Sequence, residues 1–279
     1  MKLFRHGPKS QENPGILVDG RHLDLTGHAD DFARDGLAPN PLSKISRIDP
    51  AELPDVPEGT RIGACVGNVP NTFCIARNYG RHALEVGARP PDEPFLFQKA
   101  TSSLNGPFDP IVLPNGSSRV DWEVELGLVI GQTAHHLTDD TALSHVAGYF
   151  TANDISERSW QKLGTGQWTK GKSAPSFCPI GPYLVTADDV PDPNDMTLSL
   201  TRNGKVMQSA NTADMLFHVK ELLVYLTRFI AMQPGDILLT GTPEGVGAGM
   251  DPQQFLHPGD VIETEVEGLG AMRNEIVAA

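Results

Sequence analysis

Glu123 and Glu125 stand two residues apart inside Trp122–Ile130 (WEVELGLVI), the strongest apolar run of the chain. Side chains alternate across a strand, so positions i and i+2 project side by side from one face. Two adjacent carboxylates in an apolar setting repel and resist desolvation, and a cation between them removes that cost. An exposed acidic stripe on a half-buried strand has the same pattern, although Val124, Leu126 and Leu128 complicate it by filling the alternate positions. Asp154, in Tyr149–Gln161 (YFTANDISERSWQ), offers a third acid. Three hard oxygen ligands without a Cys or a paired His suit Mg²⁺ or Mn²⁺ rather than Zn²⁺. Spacing alone does not bring Asp154 to the pair.

His82 precedes Glu85 by three residues in Asn78–Gly87 (NYGRHALEVG). On one helical turn the two are neighbours, and the carboxylate can orient the imidazole and raise its basicity for activating water. A surface helix shows the same H-x-x-E spacing just as often. Glycines at 80 and 87 would let the segment move as a lid. Gly166–Ser173 (GQWTKGKS) matches the phosphate-loop pattern in full. That motif works only when a helix N-terminus follows and aims amides at phosphate. Here prolines at 175, 179 and 182 prevent a helix of useful length. Nucleotide binding is therefore not expected, and Lys172 needs another role.

The elements that must carry these residues are mostly strands. Short β-type runs are expected at Met1–Arg5, Gly15–Val18 and His22–Leu25, with Asp19-Gly20 as a hairpin turn. A proline-rich linker, Asp49–Glu58, ends this leading module. Further strands are expected at Phe95–Lys99, Ile111–Leu113, Trp122–Ile130, Tyr183–Val185, Asp236–Thr240, Val261–Val266 and Met272–Val277. Asn203-Gly204 joins Leu198–Arg202 to Lys205–Gln208 in a second hairpin. The apolar stripe from Met215 to Ile230 predicts one long helix, capped by Thr212 and stopped by Pro234-Gly235. A second helix is expected over Asp139–Val146 behind Thr138. The histidines on these helices, His145 and His218, read as solvated or core-edge residues. The sum is a β-rich α+β chain with two parts, residues 1–65 and residues 70–279.

Composition narrows the function classes. A formal charge of −13 disfavours nucleic acid as a partner, because phosphate tracking needs a basic surface. No run reaches the roughly 18 apolar residues of a membrane span. The opening MKLFRHGPKSQENPG turns polar after four residues, unlike a secretory signal, so a cytoplasmic location is expected. Three cysteines with no CxxC pair read as small apolar residues. Gly and Pro, 28 and 23 residues, exceed the roughly 12% of average usage and call for many chain reversals.

Taken in order, the strings NY..H..E, F..K, VDWEVEL..VIG, HVAGY...ND.SER..Q, GKS...CPIGP and PGD.L.TGTPEGVG resemble the fumarylacetoacetate hydrolase family. The match runs from about Cys74 to the C-terminus, and the leading module is similar to the small N-terminal domain of bacterial members. The resemblance implies a mixed β-roll, a homodimer, and Mg²⁺ or Mn²⁺ held by Glu123, Glu125 and Asp154. It implies His82 and Glu85 as the water-activating pair on a lid, with Lys172 facing the substrate. Gln98, Lys99 and Thr242 are the further substrate-binding candidates. The implied reaction is hydrolysis of a C–C bond in a β-diketo acid, an acylpyruvate or a 2,4-dioxo sugar acid, through a metal-stabilised enolate. Decarboxylation, hydration or isomerisation of a 2-oxo acid at the same site is the alternative. A non-catalytic metal- or ligand-binding protein on this scaffold is the third reading, and the intact His82/Glu85 pair argues against it. The chain departs from the family pattern at Ala174–Ser176, Ser159 and Ala76, none of which touches the three carboxylates.

Overall fold

The computed structural model describes residues 1–279. Most of its ordered residues lie in two large mixed sheets, as the alternating runs require. The path of the ten-stranded sheet is Arg21–Asp24, Asn13–Val18, Lys2–His6, Cys178–Thr186, Val146–Asn153, Val124–Ile130, Ile237–Leu239, Thr72–Ala76 and Phe95–Lys99. Leu104–Asn105 pairs alongside Cys178–Thr186. The five-stranded sheet runs Lys205–Asn211, Thr197–Arg202, Val261–Val266, Gly270–Ala278 and Ile111–Leu113.

Both hairpins turn where expected. Asp19-Gly20 and Asn203-Gly204 carry positive φ at both central residues (50° and 79°; 53° and 76°), the twist that suits a two-residue connection. The leading strands extend the main sheet: Lys2 and Leu3 pair with Val185 and Leu184. Their side chains Leu3, Ile16 and Leu23 share an apolar cluster with Val129, Phe150 and Leu184 of the central strands. The opposite face of the central strands packs Val124, Leu126 and Leu128 against Leu198, Leu200 and Ile262 of the second sheet. Val124–Ile130 is thus buried on both faces over its whole length.

The helices are shorter than the apolar stripe predicts. Only Val219–Leu226 is helical, opened by a capping box of His218 and Glu221 rather than by Thr212. The preceding turn is held open by Asn78: the Leu216 amide donates to its backbone carbonyl (2.7 Å) and the Phe217 amide to its Oδ1 (2.9 Å). Met215 meanwhile bridges to Tyr79 as extended chain. At the other end Thr227 Oγ1 donates back to the Leu223 carbonyl (2.8 Å). The expected helix Asp139–Val146 shrinks to a 3₁₀ turn, Ala142–His145. Thr138, Thr141 and Ser144 hydrogen-bond one another's backbone there, offering the chain an alternative to helical pairing.

Candidate metal centre and hydrolytic site

The register of two antiparallel strands brings the three acids together. Glu125 faces Ala152, Val124 faces Asn153, and the next residue, Asp154, donates its amide to the Glu123 carbonyl (2.9 Å). Asn153 Oδ1 accepts from the Glu123 amide (3.0 Å), pinning the strand end. One oxygen each from Glu123, Glu125 and Asp154 lies within 4.8 Å of the others. Glu123 and Glu125 are 4% and 1% exposed, which rules out a solvated acidic stripe.

Cations surround this cluster without balancing it. Lys172 Nζ bridges Glu123 Oε2 (2.8 Å) and Asp154 Oδ2 (2.5 Å). Lys99 Nζ meets Asp154 Oδ1 (2.5 Å) and donates to the Ile155 carbonyl (3.1 Å). Arg158 reaches Glu123 Oε1 (2.6 Å) and Asp121 Oδ2 (2.8 Å). Asp121 is further saturated by the amides of Trp122, Gly247 and Ala248. Four carboxylates thus face three cations, and the deficit falls on Glu125, whose one partner is the Gly241 amide (2.8 Å). Burial, then the charges of Asp154 and Glu123, push its carboxyl well above the usual range. For Glu123 burial works the same way, but the charges of Lys172 and Arg158 outweigh it and hold the group far below. A divalent cation fits this donor set: all ligands are hard oxygens, and added positive charge relieves the one carboxylate no side chain neutralises. The Nη2 of Arg158, buried and without a partner, is a donor that only water or a bound anion can satisfy.

The dyad forms as its spacing requires. Gly80–Glu85 is a single short helix, and His82 Nδ1 lies 2.9 Å from Glu85 Oε1. With Nδ1–H assigned as the donor in this bond, Nε2 carries the free lone pair. Glu85 also accepts from the Gly245 amide at 3.2 and 2.9 Å on its two oxygens. A side chain at Gly249 would come within 2.7 Å of that carboxylate, so the glycine makes room for the docked helix. His82, Glu85, Glu123, Glu125, Lys172 and Thr242 all line one cavity of about 670 Å³.

Thr242 is 2% exposed, and its hydroxyl accepts from Gln208 Nε2 (2.9 Å). Gln208 Oε1 in turn accepts from the Val124 amide (2.9 Å). This buried amide ties the glycine-rich loop to the strand that carries the carboxylates. Trp122 does the same through its indole N–H to the Gly245 carbonyl (3.1 Å).

Two expected substrate contacts lie off the cavity wall. Alternation along Phe95–Lys99 turns Gln98 outward, where it is exposed, and Phe97 into the cavity. Lys99 lies behind the cluster with a fully buried side chain, paired with Asp154. The phosphate-loop look-alike is one turn of helix, Thr169–Lys172, which delivers Lys172 to the acids. Its Gly171 is dictated by packing: a side chain there would lie 2.6 Å from the Gln161 amide. Arg158, Asp121 and Gln208 were not singled out as functional from the sequence. Asp121 adjoins the apolar run Trp122–Ile130, which was a signal, whereas Arg158 in Ser156–Gln161 (SERSWQ) and Gln208 in Lys205–Asn211 (KVMQSAN) stand among polar residues that gave none.

The sequence profile described as fumarylacetoacetate (FAA) hydrolase C-terminal matches residues 71–277. A Burkholderia lata protein, provisionally named a hydrolase, is 50% identical over 272 residues, 97% of this chain and 96% of its own. The 5-carboxymethyl-2-hydroxymuconate delta-isomerase of Mycobacterium smegmatis is 28% identical and superposes with a TM-score of 0.78 over 100% of this chain and 99% of its own. The maleylpyruvate hydrolase of Sphingobium sp. SYK-6, in complex with manganese(II) ion and pyruvate, is 26% identical with a TM-score of 0.78 over 100% of both chains. The β-rich fold, the motif order and the matched residues agree, and this chain belongs to the fumarylacetoacetate hydrolase family.

Proposed function

We propose that the protein is a divalent-metal-dependent hydrolase that cleaves a C–C bond in a β-diketo acid, an acylpyruvate or a 2,4-dioxo sugar acid. The observation that carries this reading is the single cavity onto which Glu123, Glu125 and the His82–Glu85 pair open, with Asp154 within 4.8 Å of the two glutamates. Glu123, Glu125 and Asp154 would hold Mg²⁺ or Mn²⁺. Bound there, the ion supplies Lewis-acid charge for the 2-oxo acid end of the substrate. The manganese and pyruvate of the Sphingobium relative fit such a site and such a product.

The protein's own groups account for the proton traffic. Glu85 holds the ring so that Nε2 of His82 takes a proton from water. The water oxygen adds to the C4 carbonyl carbon, the C3–C4 bond breaks, and C4 leaves as a carboxylate. The electron pair remains on the pyruvate fragment as its enolate, and C3 then takes up a proton. Lys172 supplies positive charge beside the developing enolate, with the Thr242 hydroxyl as a further donor. Arg158 fixes Glu123 in place. The protein would act on a small molecule in the cytoplasm as a homodimer.

His82→Ala is expected to lower kcat by about 10²- to 10⁴-fold on acylpyruvates. Mn²⁺ affinity measured by calorimetry should stay within about twofold, because His82 is not in the carboxylate trio. Turnover that survives the substitution removes the dyad from the mechanism. The Mycobacterium smegmatis isomerase favours a second reading, isomerisation at the same centre. Product analysis separates them: hydrolysis yields two carbon fragments, decarboxylation yields CO₂, and isomerisation or hydration keeps the carbon skeleton whole.

A further inference from the structure

Arg77 is the one guanidinium on the cavity wall that the protein leaves without a hydrogen-bond partner. Arg158 is tied to Asp121 and Glu123 with Nη2 alone left over, and Arg119 donates to Gln253 Oε1 (2.7 Å). Arg77 lines the same cavity, held only by the ring faces of Phe95 and Trp168, each centroid 5.6 Å from Cζ. Its backbone has φ of +56°, a left-handed conformation that costs a bulky residue energy and persists only where the surroundings impose it. The next residue imposes it: Asn78 is fully buried, and its Nδ2 donates to the carbonyls of Phe217 (2.9 Å) and Thr240 (2.8 Å). The strand leading into the turn is paired through Ala76 opposite Phe95.

An aromatic wall links this guanidinium to the carboxylate cluster. Lys172 Nζ lies 4.9 Å from the Phe97 centroid, and Phe97 lies 5.4 Å from Trp168. Arg77 is therefore two rings away from the proposed reacting centre along an aromatic wall. A fixed, planar donor with a free edge recognises a carboxylate in two-pronged fashion. We infer that Arg77, stacked on Trp168, is a subsite for a second carboxylate at the far end of the substrate, so that the preferred substrate is a diacid. This rests on the reading of the cavity as the substrate site and adds the chemical class of the distal group.

The test compares 2,4-dioxoheptanedioate with 2,4-dioxopentanoate, which differ at the tail and carry the same reacting atoms. The wild type is expected to favour the diacid in kcat/KM by about 10- to 100-fold, carried by KM, as befits one charge-assisted pair. Arg77→Met should bring that ratio close to one, Arg77→Lys should restore part of it, and Arg119→Met should leave it standing. A wild type without preference, or a preference that disappears in Arg119→Met instead, overturns the assignment, as does an equal loss on both substrates in Arg77→Met. Calorimetry with 2-oxoheptanedioate and 2-oxoheptanoate keeps the subsite separate from the chemistry. Tighter diacid binding that Arg77→Met abolishes upholds the subsite even if neither dioxo acid is hydrolysed. Equal binding of the two by the wild type overturns it whatever the reaction.

Discussion

The network that fastens the leading strands and the cluster that opens on the cavity use the same groups and finish them differently. In the first, Arg61 grips Asp109 with two nitrogens (2.8 and 2.6 Å) and Glu12 with a third (2.8 Å). Arg5 grips Asp31 in the same two-pronged way (2.6 and 3.0 Å) and meets the other oxygen of Glu12 at 3.5 Å. Every carboxylate oxygen there faces a guanidinium. In the second cluster neither oxygen of Glu125 has a cationic partner, although the group is almost fully buried. Buried carboxylates that are all paired stabilise a junction, whereas one left unpaired creates affinity for an added cation.

Substitutions can break that contrast. Glu125→Gln keeps the acceptor for the Gly241 amide and removes the unpaired charge. Activity with Mg²⁺ or Mn²⁺ should fall at least about 10³-fold if metal charge supplies several kcal/mol of the stabilisation. The metal-free protein should at the same time become more stable by about 1–2 kcal/mol in urea titrations, since the cost of burying or protonating this carboxyl is gone. A variant that loses stability would mean that Glu125 is already neutralised by the fold. Arg61→Met should do the opposite. It leaves Asp109 without a cation and Glu12 with only the longer Arg5 contact, and should cost about 3 kcal/mol of folding free energy, while Mn²⁺ affinity measured by calorimetry holds.

The smallest effect is a pH dependence. Burial raises the Glu12 carboxyl, but the Arg61 hydrogen bond and the charges of Arg5 and Arg61 outweigh it and leave the group below its ordinary 4.5. A lowered folded-state pKa adds stability above the unfolded value, and that stability is lost as pH falls through the folded one. Unfolding free energy should therefore decline below about pH 4.5, and Glu12→Gln should make the decline shallower. Parallel acid limbs for the two proteins would remove Glu12 from the account.

Much of this was legible in the residue order, for reasons that differ between elements. The strand Val124–Ile130 and both Gly-containing hairpins follow from local rules of alternation and positive φ. The meeting of Asp154 with Glu123 depends on the register of two strands, which no local pattern specifies. The apolar stripe after Met215 was misleading because Asn78, far away in the chain, draws the backbone of Leu216 and Phe217 into extended pairing. Lys99 and Lys172 were visible as charged residues, but their convergence on Asp154 from opposite sides arises only in the folded chain.

Glu85 touches both the imidazole of its own helix and the Gly245 amide of the loop beneath it. Any outward swing of Gly80–Glu85 must carry the carboxylate off that amide. The open state, which admits bulk solvent, would thus be the state in which the imidazole is least well aimed. With the proposed roles of the pair, one side chain would fasten both reactivity and closure, and an enzyme of this design would discourage idle chemistry on whatever enters before the helix settles.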